Sequence, residues 1–185
     1  MLQTLIEQKY QEKMAWMLSH VDVQFPTPAS LIGKDHYADL DAKMTDIHQI
    51  DFCLLHALSL PQFTDDIVLI DNHRMTIRLA MLLAEKWPEH KESVFEFLTQ
   101  IILDDDYQLY LALEQNQPTA CAMVTKVTDN TVLISDIAFA SDMKTINKQS
   151  FICDLTKLVQ SNSQMNSAAI VTSNPTDVWL NELNL

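Results

Sequence analysis

The sequence predicts a mixed α/β (α+β) fold: a helical amino-terminal extension, residues 1–64, followed over residues 65–185 by a mixed sheet with flanking helices. Three observations predict it. Apolar residues before Pro61 recur every three or four positions, the period of a helix with one buried side. After Pro61, short β-rich runs alternate with helical ones. Three of the β-rich runs are joined by connections so short that only antiparallel hairpins fit them.

The first element is a helix over residues 2–21, where Leu2, Ile6, Met14, Met17, Leu18 and Val21 share one side. Pro26, Pro28 and Gly33, the single glycine of the chain, then mark Asp22–Asp35 as an ordered loop. A second helix is expected over His36–Leu60, with Tyr37, Leu40, Met44, Ile47, Ile50, Leu54, Leu55 and Leu58 as its apolar stripe and Pro61 as its stop. Its histidines, His48 and His56, stand about two turns apart, too far along the axis to share a metal ion from adjacent turns.

Beyond Pro61 the run DIVLID, 66–71, reads as a strand. Helices over 73–87 and 89–103 follow, separated by Pro88. The segments 107–114, 119–127 and 131–140 form an antiparallel meander. A helix over 147–161, a buried strand over 167–173 and a last helix from Pro175 complete the order β-α-α-β-β-β-α-β-α. The strand, helix, strand unit requires 131–140 and 167–173 to lie parallel.

Composition narrows the function classes. With 185 residues and 48% hydrophobic content, one domain with a continuous core is expected. Cys53, Cys121 and Cys153 are odd in number and match neither a zinc nor a disulfide spacing, so they read as reduced packing residues. Twelve basic against 25 acidic residues give a net charge of −13, which would repel a nucleic acid and suits a small amine or another cationic partner. Charged residues from Glu7 to Lys13 interrupt any leader-like apolar run, and no segment reaches the roughly 20 apolar residues of a membrane span. The expected location is the cytoplasm, with no membrane partner.

Residues 65–185 resemble the GNAT superfamily of N-acyltransferases. LYLALEQNQPTACAMV resembles the family's hairpin of second and third strands, SDIAFA its fourth strand, and AAIVTSNPTDVWLNELNL its fifth strand with the helix that follows, Asn174 standing at the opening of that helix. The resemblance implies an acetyl-CoA or CoA site. The pantetheine arm would pair with the main chain of Ile137, Ala138 and Phe139, and the diphosphate would meet the helix amino terminus at Lys144–Ser150. There Lys144 replaces the family's Arg, and Asn147 and Gln149 replace its glycines, so Gln149 is expected to project into the diphosphate position. Asp136 is the candidate general base for an amine, provided burial raises its pKa. Leu180 stands where the family's Tyr protonates the leaving thiolate, and leucine has no proton to give.

Two functional readings follow from the resemblance. One is a binding or assembly module on an acyltransferase fold with a degraded acyl-CoA site; the other is an unconventional acyl-CoA-dependent N-acyltransferase, a transferase acting on an amine. The family continues into two strands that cover the fifth, and these have no counterpart in the residues up to Leu185. Residues 167–173 carry no charge to protect an open edge, so a cover is expected, either from residues 22–35 or from a second copy in a homodimer.

Overall fold

A computed structural model of the protein describes residues 1–42, 46–172 and 178–181. Among them are seven α-helices: α1 Leu2–Ser19, α2 Pro28–Ala42, α3 Phe52–Ala57, α4 His73–Leu83, α5 Lys91–Leu98, α6 Thr145–Asn162 and α7 Val178–Asn181. The strands are β1 Asp46–Asp51, β2 Asp66–Leu69, β3 Tyr107–Glu114, β4 Gln117–Lys126, β5 Thr131–Phe139 and β6 Ser167–Thr172. They form one mixed sheet in the order β1-β6-β5-β4-β3-β2. Apolar residues from α1, α2, α4 and α5 cover one face, and those from α3, α6 and α7 cover the other.

Helix α1 forms as its spacing requires, burying Ile6, Tyr10, Met14 and Met17. Leu2 lies outside that stripe and is exposed. Residues 22–35 are not a single loop, because α2 begins at Pro28. Thr27 caps it by accepting a bond from the Ser30 amide at 3.1 Å, and proline fits the first helical position, where no amide bond is needed. Gly33 therefore sits inside a helix, where it costs stability unless packing demands it. Packing does demand it. A Cβ there would lie 2.0 Å from the carbonyl oxygen of Ser93 and 2.8 Å from the Cβ of Phe97, so only glycine lets α2 cross α5 this closely.

The long helix expected over His36–Leu60 is three elements. After α2, residues 46–51 form β1, and Asp51 then caps α3 by accepting from the amides of Cys53 at 2.7 Å and Leu54 at 3.3 Å. Ile47 packs on the α1 side of the sheet and Ile50 on the α3 side. Their spacing of three is compatible with a helical stripe and equally with opposite faces of a strand. The pairing decides: β1 lies antiparallel to β6, with Ile47 opposite Val171 and Ile50 opposite Ala168.

That pairing also supplies the cover for β6. The expectation of an intramolecular cover survives, but the segment is 46–51 and not 22–35. A strand from the amino-terminal part of the chain thus lies on the side of β6 away from β5.

The remaining elements follow the sequence closely. The meander β3-β4-β5 is antiparallel, and its first turn uses Gln115 and Asn116 at positive φ, the geometry of a two-residue hairpin made without glycine. Helix α5 ends at Leu98, short of the expected 103. Strands β5 and β6 are parallel and pair from Thr131 and Ser167 to Ile134 and Ile170. Beyond that point β5 continues to Phe139 and β6 to Thr172 without pairing to each other, which leaves a wedge between the two strands.

Replacing Gly33 by Ala should cost about 1–3 kcal/mol, since the clash is with backbone that has no rotamer to change. Urea denaturation would read this as a lower midpoint with an unchanged slope. Equal stability of Gly33→Ala would mean that the close crossing is absent.

Candidate functional site

The wedge is built around an irregularity in β5. Cys121 of β4 faces Ala138 and Met123 faces Ser135, so Asp136 and Ile137 together oppose the single residue Ala122. This is a β-bulge, and Asp136 adopts φ 50, a left-handed conformation that is costly for a residue with a Cβ. The bulge re-aims one side chain. Ser135 and Asp136 both point to the α1 side, after which Ile137 returns to the α6 side and Ala138 to the α1 side.

Asp136 is wholly committed there. Lys13 Nζ of α1 lies 2.9 Å from its Oδ2, Ser135 Oγ donates to the same oxygen at 2.8 Å, and Tyr37 of α2 donates a short hydrogen bond to Oδ1. The two charged side chains are 2% and 8% exposed, so the pair is shielded from water. Lys13 also donates to Tyr37 Oη and Met14 Sδ, each at 3.2 Å, and its ammonium stands 4.6 Å from the ring centre of Tyr10.

Burial pushes the Asp136 carboxyl up, but the charge of Lys13 and the bonds from Tyr37, Lys13 and Ser135 outweigh it and hold the group below the ordinary carboxylate range. The base expected from the sequence needed a raised pKa; the direction is the opposite, and both oxygens are already bonded. The neighbouring Cys121 thiol is pushed up to about 12 by burial, so it is inert as a nucleophile.

On the α6 side the wedge is filled by aromatic groups. Phe139 meets Trp179 of α7 edge-on at 5.4 Å and Phe151 of α6 at 5.8 Å. Gln149 is part of this packed cluster. Its side chain is buried and donates to the carbonyl of Trp179 at 2.9 Å, tying α6 to α7. Leu180 is buried in the same cluster.

At the start of α6, Lys144 is the capping residue, makes no side-chain cap bond and is exposed, as is Asn147, whose amide donates to the Lys144 carbonyl at 3.0 Å. Lys148 places its ammonium 5.4 Å from the Phe139 ring centre. Ile137 and Ala138 are buried on opposite faces of β5. Asn174 lies outside the described residues.

The sequence reading thus brought Asp136, Phe139 and Gln149 to one strand end and one helix, but it missed Lys13, Tyr37 and Trp179. A signal for Lys13 existed, because positions 6, 10, 13 and 17 share the stripe that buries Ile6 and Met17. No helix among the described residues is long and apolar enough to cross a membrane.

No family model and no curated protein matches the sequence. Solved structures do. A functionally unknown conserved protein from Staphylococcus epidermidis superposes with a TM-score of 0.51 at 17% identity, over 74% of this chain and 54% of its own. A protein assigned to the GNAT family of acetyltransferases from Novosphingobium aromaticivorans aligns at 0.39 and 12% identity, over 75% and 56% of the two chains. A GCN5-related N-acetyltransferase from Kribbella flavida aligns at 0.45 and 13%, over 74% and 53%. The present chain spans about half the length of each. The fold is GNAT-like, a statement that rests on the strand order, the crossover helix and the parallel pair that parts after Ile134.

Lys13→Met should destabilise the protein by about 3–5 kcal/mol, because it strands a buried carboxylate, while Lys13→Met with Asp136→Leu should recover much of that loss. Chemical denaturation of the two variants checks both. The depressed Asp136 pKa contributes stability that is fully present above the unfolded value of about 4 and is lost as pH falls through the folded value. A stability profile against pH should therefore lose part of its acid slope in Asp136→Asn.

Proposed function

We propose that this chain is a binding or assembly module built on an acyltransferase fold, and not an acyl-CoA-dependent enzyme. The observation that carries the reading is the bond from Gln149 to the Trp179 carbonyl, which packs a side chain and a helix where a thioester arm would enter between β5 and α6. A pantetheine arm would have to displace Trp179 from Phe139 before it met the main chain of Ile137, Ala138 and Phe139. The residues at this place do not fit acetyl-CoA or CoA. The remaining groups support the same reading, since Asp136 is held by Lys13 and Leu180 brings no proton to a leaving thiolate.

The second reading, an N-acyltransferase acting on an amine, is favoured by one feature. The amino terminus of α6 is uncapped by any side chain and is flanked by Lys144 and Lys148, a setting that suits an anion. The first reading prevails because an anion held there would still lack a path for the arm attached to it.

Calorimetric titration with acetyl-CoA and with free CoA decides between the two. The expected result is no saturable heat at millimolar ligand, and micromolar affinity for either would establish the second reading. Asn147→Gly with Gln149→Gly should lose thermal stability through the severed α6–α7 tie and the added helix glycines, by about 2–3 kcal/mol, and should gain affinity for CoA if α7 moves aside.

A further inference from the structure

The sheet has two outer strands, and they are treated differently. β1 is long enough to pair with β6 over its whole length and is backed by α1 and α3. Among the described residues β2 pairs only with β3, and no strand lies on its other side. The Ile70 amide donates to the Leu109 carbonyl at 2.8 Å, and bonded and unbonded pairs alternate along an antiparallel ladder. Asp66 and Val68 therefore turn their main-chain groups to β3, while Ile67 and Leu69 turn theirs outward. Neither lysine nor proline guards this edge, and Leu69 is 49% exposed.

Beside the edge, on the α6 face, lies a cavity of about 640 Å³. Its wall includes Phe63, Asp65, Asp66, Ile67, Asp154 and Lys157. Three aspartates and one lysine thus contribute to this wall, and that lysine is already bound to Asp154 at 2.8 Å. Asp154 is fixed further by the Phe63 amide at 2.8 Å, and Asp65 by the hydroxyls of Thr64 at 3.0 Å and Thr119 at 2.5 Å. The negative lining is thus held in place beside free main-chain donors and acceptors.

We propose that the free edge of β2 takes up an extended, lysine- or arginine-bearing segment of a partner protein, which adds as a strand and sends alternate cationic side chains into the acidic cavity between β2 and α6. An incoming strand would exchange main-chain bonds with Ile67 and Leu69 and place every second residue on the α6 side, where the cavity lies. Charge complementarity selects this occupant. A second copy would bring another chain of net charge −13, with its own Asp65 and Asp66, against the same edge. The inference concerns an edge separated from the β5–β6 pair by β3 and β4, and it holds whether or not a thioester binds at that pair.

The test uses blocked synthetic peptides and the full chain. One probe alternates lysine with valine, and a control alternates glutamate with valine. Calorimetry should show binding of the lysine peptide that weakens as salt is added, and no binding of the control. Amide hydrogen exchange should slow at Ile67 and Leu69. Leu69→Pro removes an outward amide and leaves the β3 bonds intact, so it should weaken binding about tenfold or more. Asp66→Lys, at an exposed position with no side-chain bond to lose, should do the same if the proline variant fails to fold. The proposal is overturned if the lysine peptide does not bind, if it binds without slowing exchange at Ile67 and Leu69, or if both variants bind as tightly as the natural chain. Protection of the two amides that rises with protein concentration alone would assign the edge to a second copy instead.

Discussion

Among the described residues one buried ion pair ties the amino-terminal helices, already packed on the sheet by apolar contacts, to a single point of β5. Lys13 comes from the middle of α1 and Asp136 from the bulge of β5, and neither tolerates the loss of its partner in so dry a setting. The bulge, the left-handed backbone at Asp136 and the burial of Lys13 form one arrangement. Without the bulge the carboxylate would fall on the α6 face, among the apolar residues packed there. Without the carboxylate Lys13 would be a charge among Tyr10, Met14 and Met17. Tyr37 of α2 bonds to the same carboxylate, so α1 and α2 are positioned by one side chain.

This arrangement decides what the strand end can do chemically. A carboxylate that already accepts from a lysine, a tyrosine and a serine, and is shielded from water, is poorly placed to take a proton from an incoming amine, and its lowered pKa lies in the wrong direction for a base. The opposite face tells the same story with apolar groups. Phe139, Phe151 and Trp179 meet edge-on, and Gln149 fixes the α7 backbone in contact with them. Both faces of this strand end are thus occupied, by an ion pair on one and by aromatic packing on the other.

The two edges of the sheet show how differently exposed backbone can be handled. β6 would present small apolar residues to solvent, and the chain answers with β1. β2 is short, strongly apolar and bordered by aspartates, which discourages pairing with another acidic molecule while leaving its outward amides available to a basic one.

Much of the fold was legible in the sequence because it is local. The meander, the crossover helix and the parallel return of β6 follow from periodicity, short connections and chain handedness, all of which act within neighbouring residues. Asp136, Phe139 and Gln149 could be placed on their elements for the same reason. The errors fell where local signals were ambiguous. Ile47 and Ile50 fit a helix and a strand equally, and only the need of β6 for a partner made them a strand. Gly33 read as a loop breaker, whereas its purpose is the passage of α2 across the Ser93 backbone. The directions of the Asp136 and Gln149 side chains were likewise settled by residues far away in the chain, Lys13 and Tyr37 for one and Trp179 for the other. Propensity and period, which are properties of adjacent residues, were enough for the elements from β2 onward and their order. The partners of Asp136 and Phe139, Lys13 and Trp179, were set by the tertiary fold, because a charge or a ring finds its partner through packing and not through spacing along the chain.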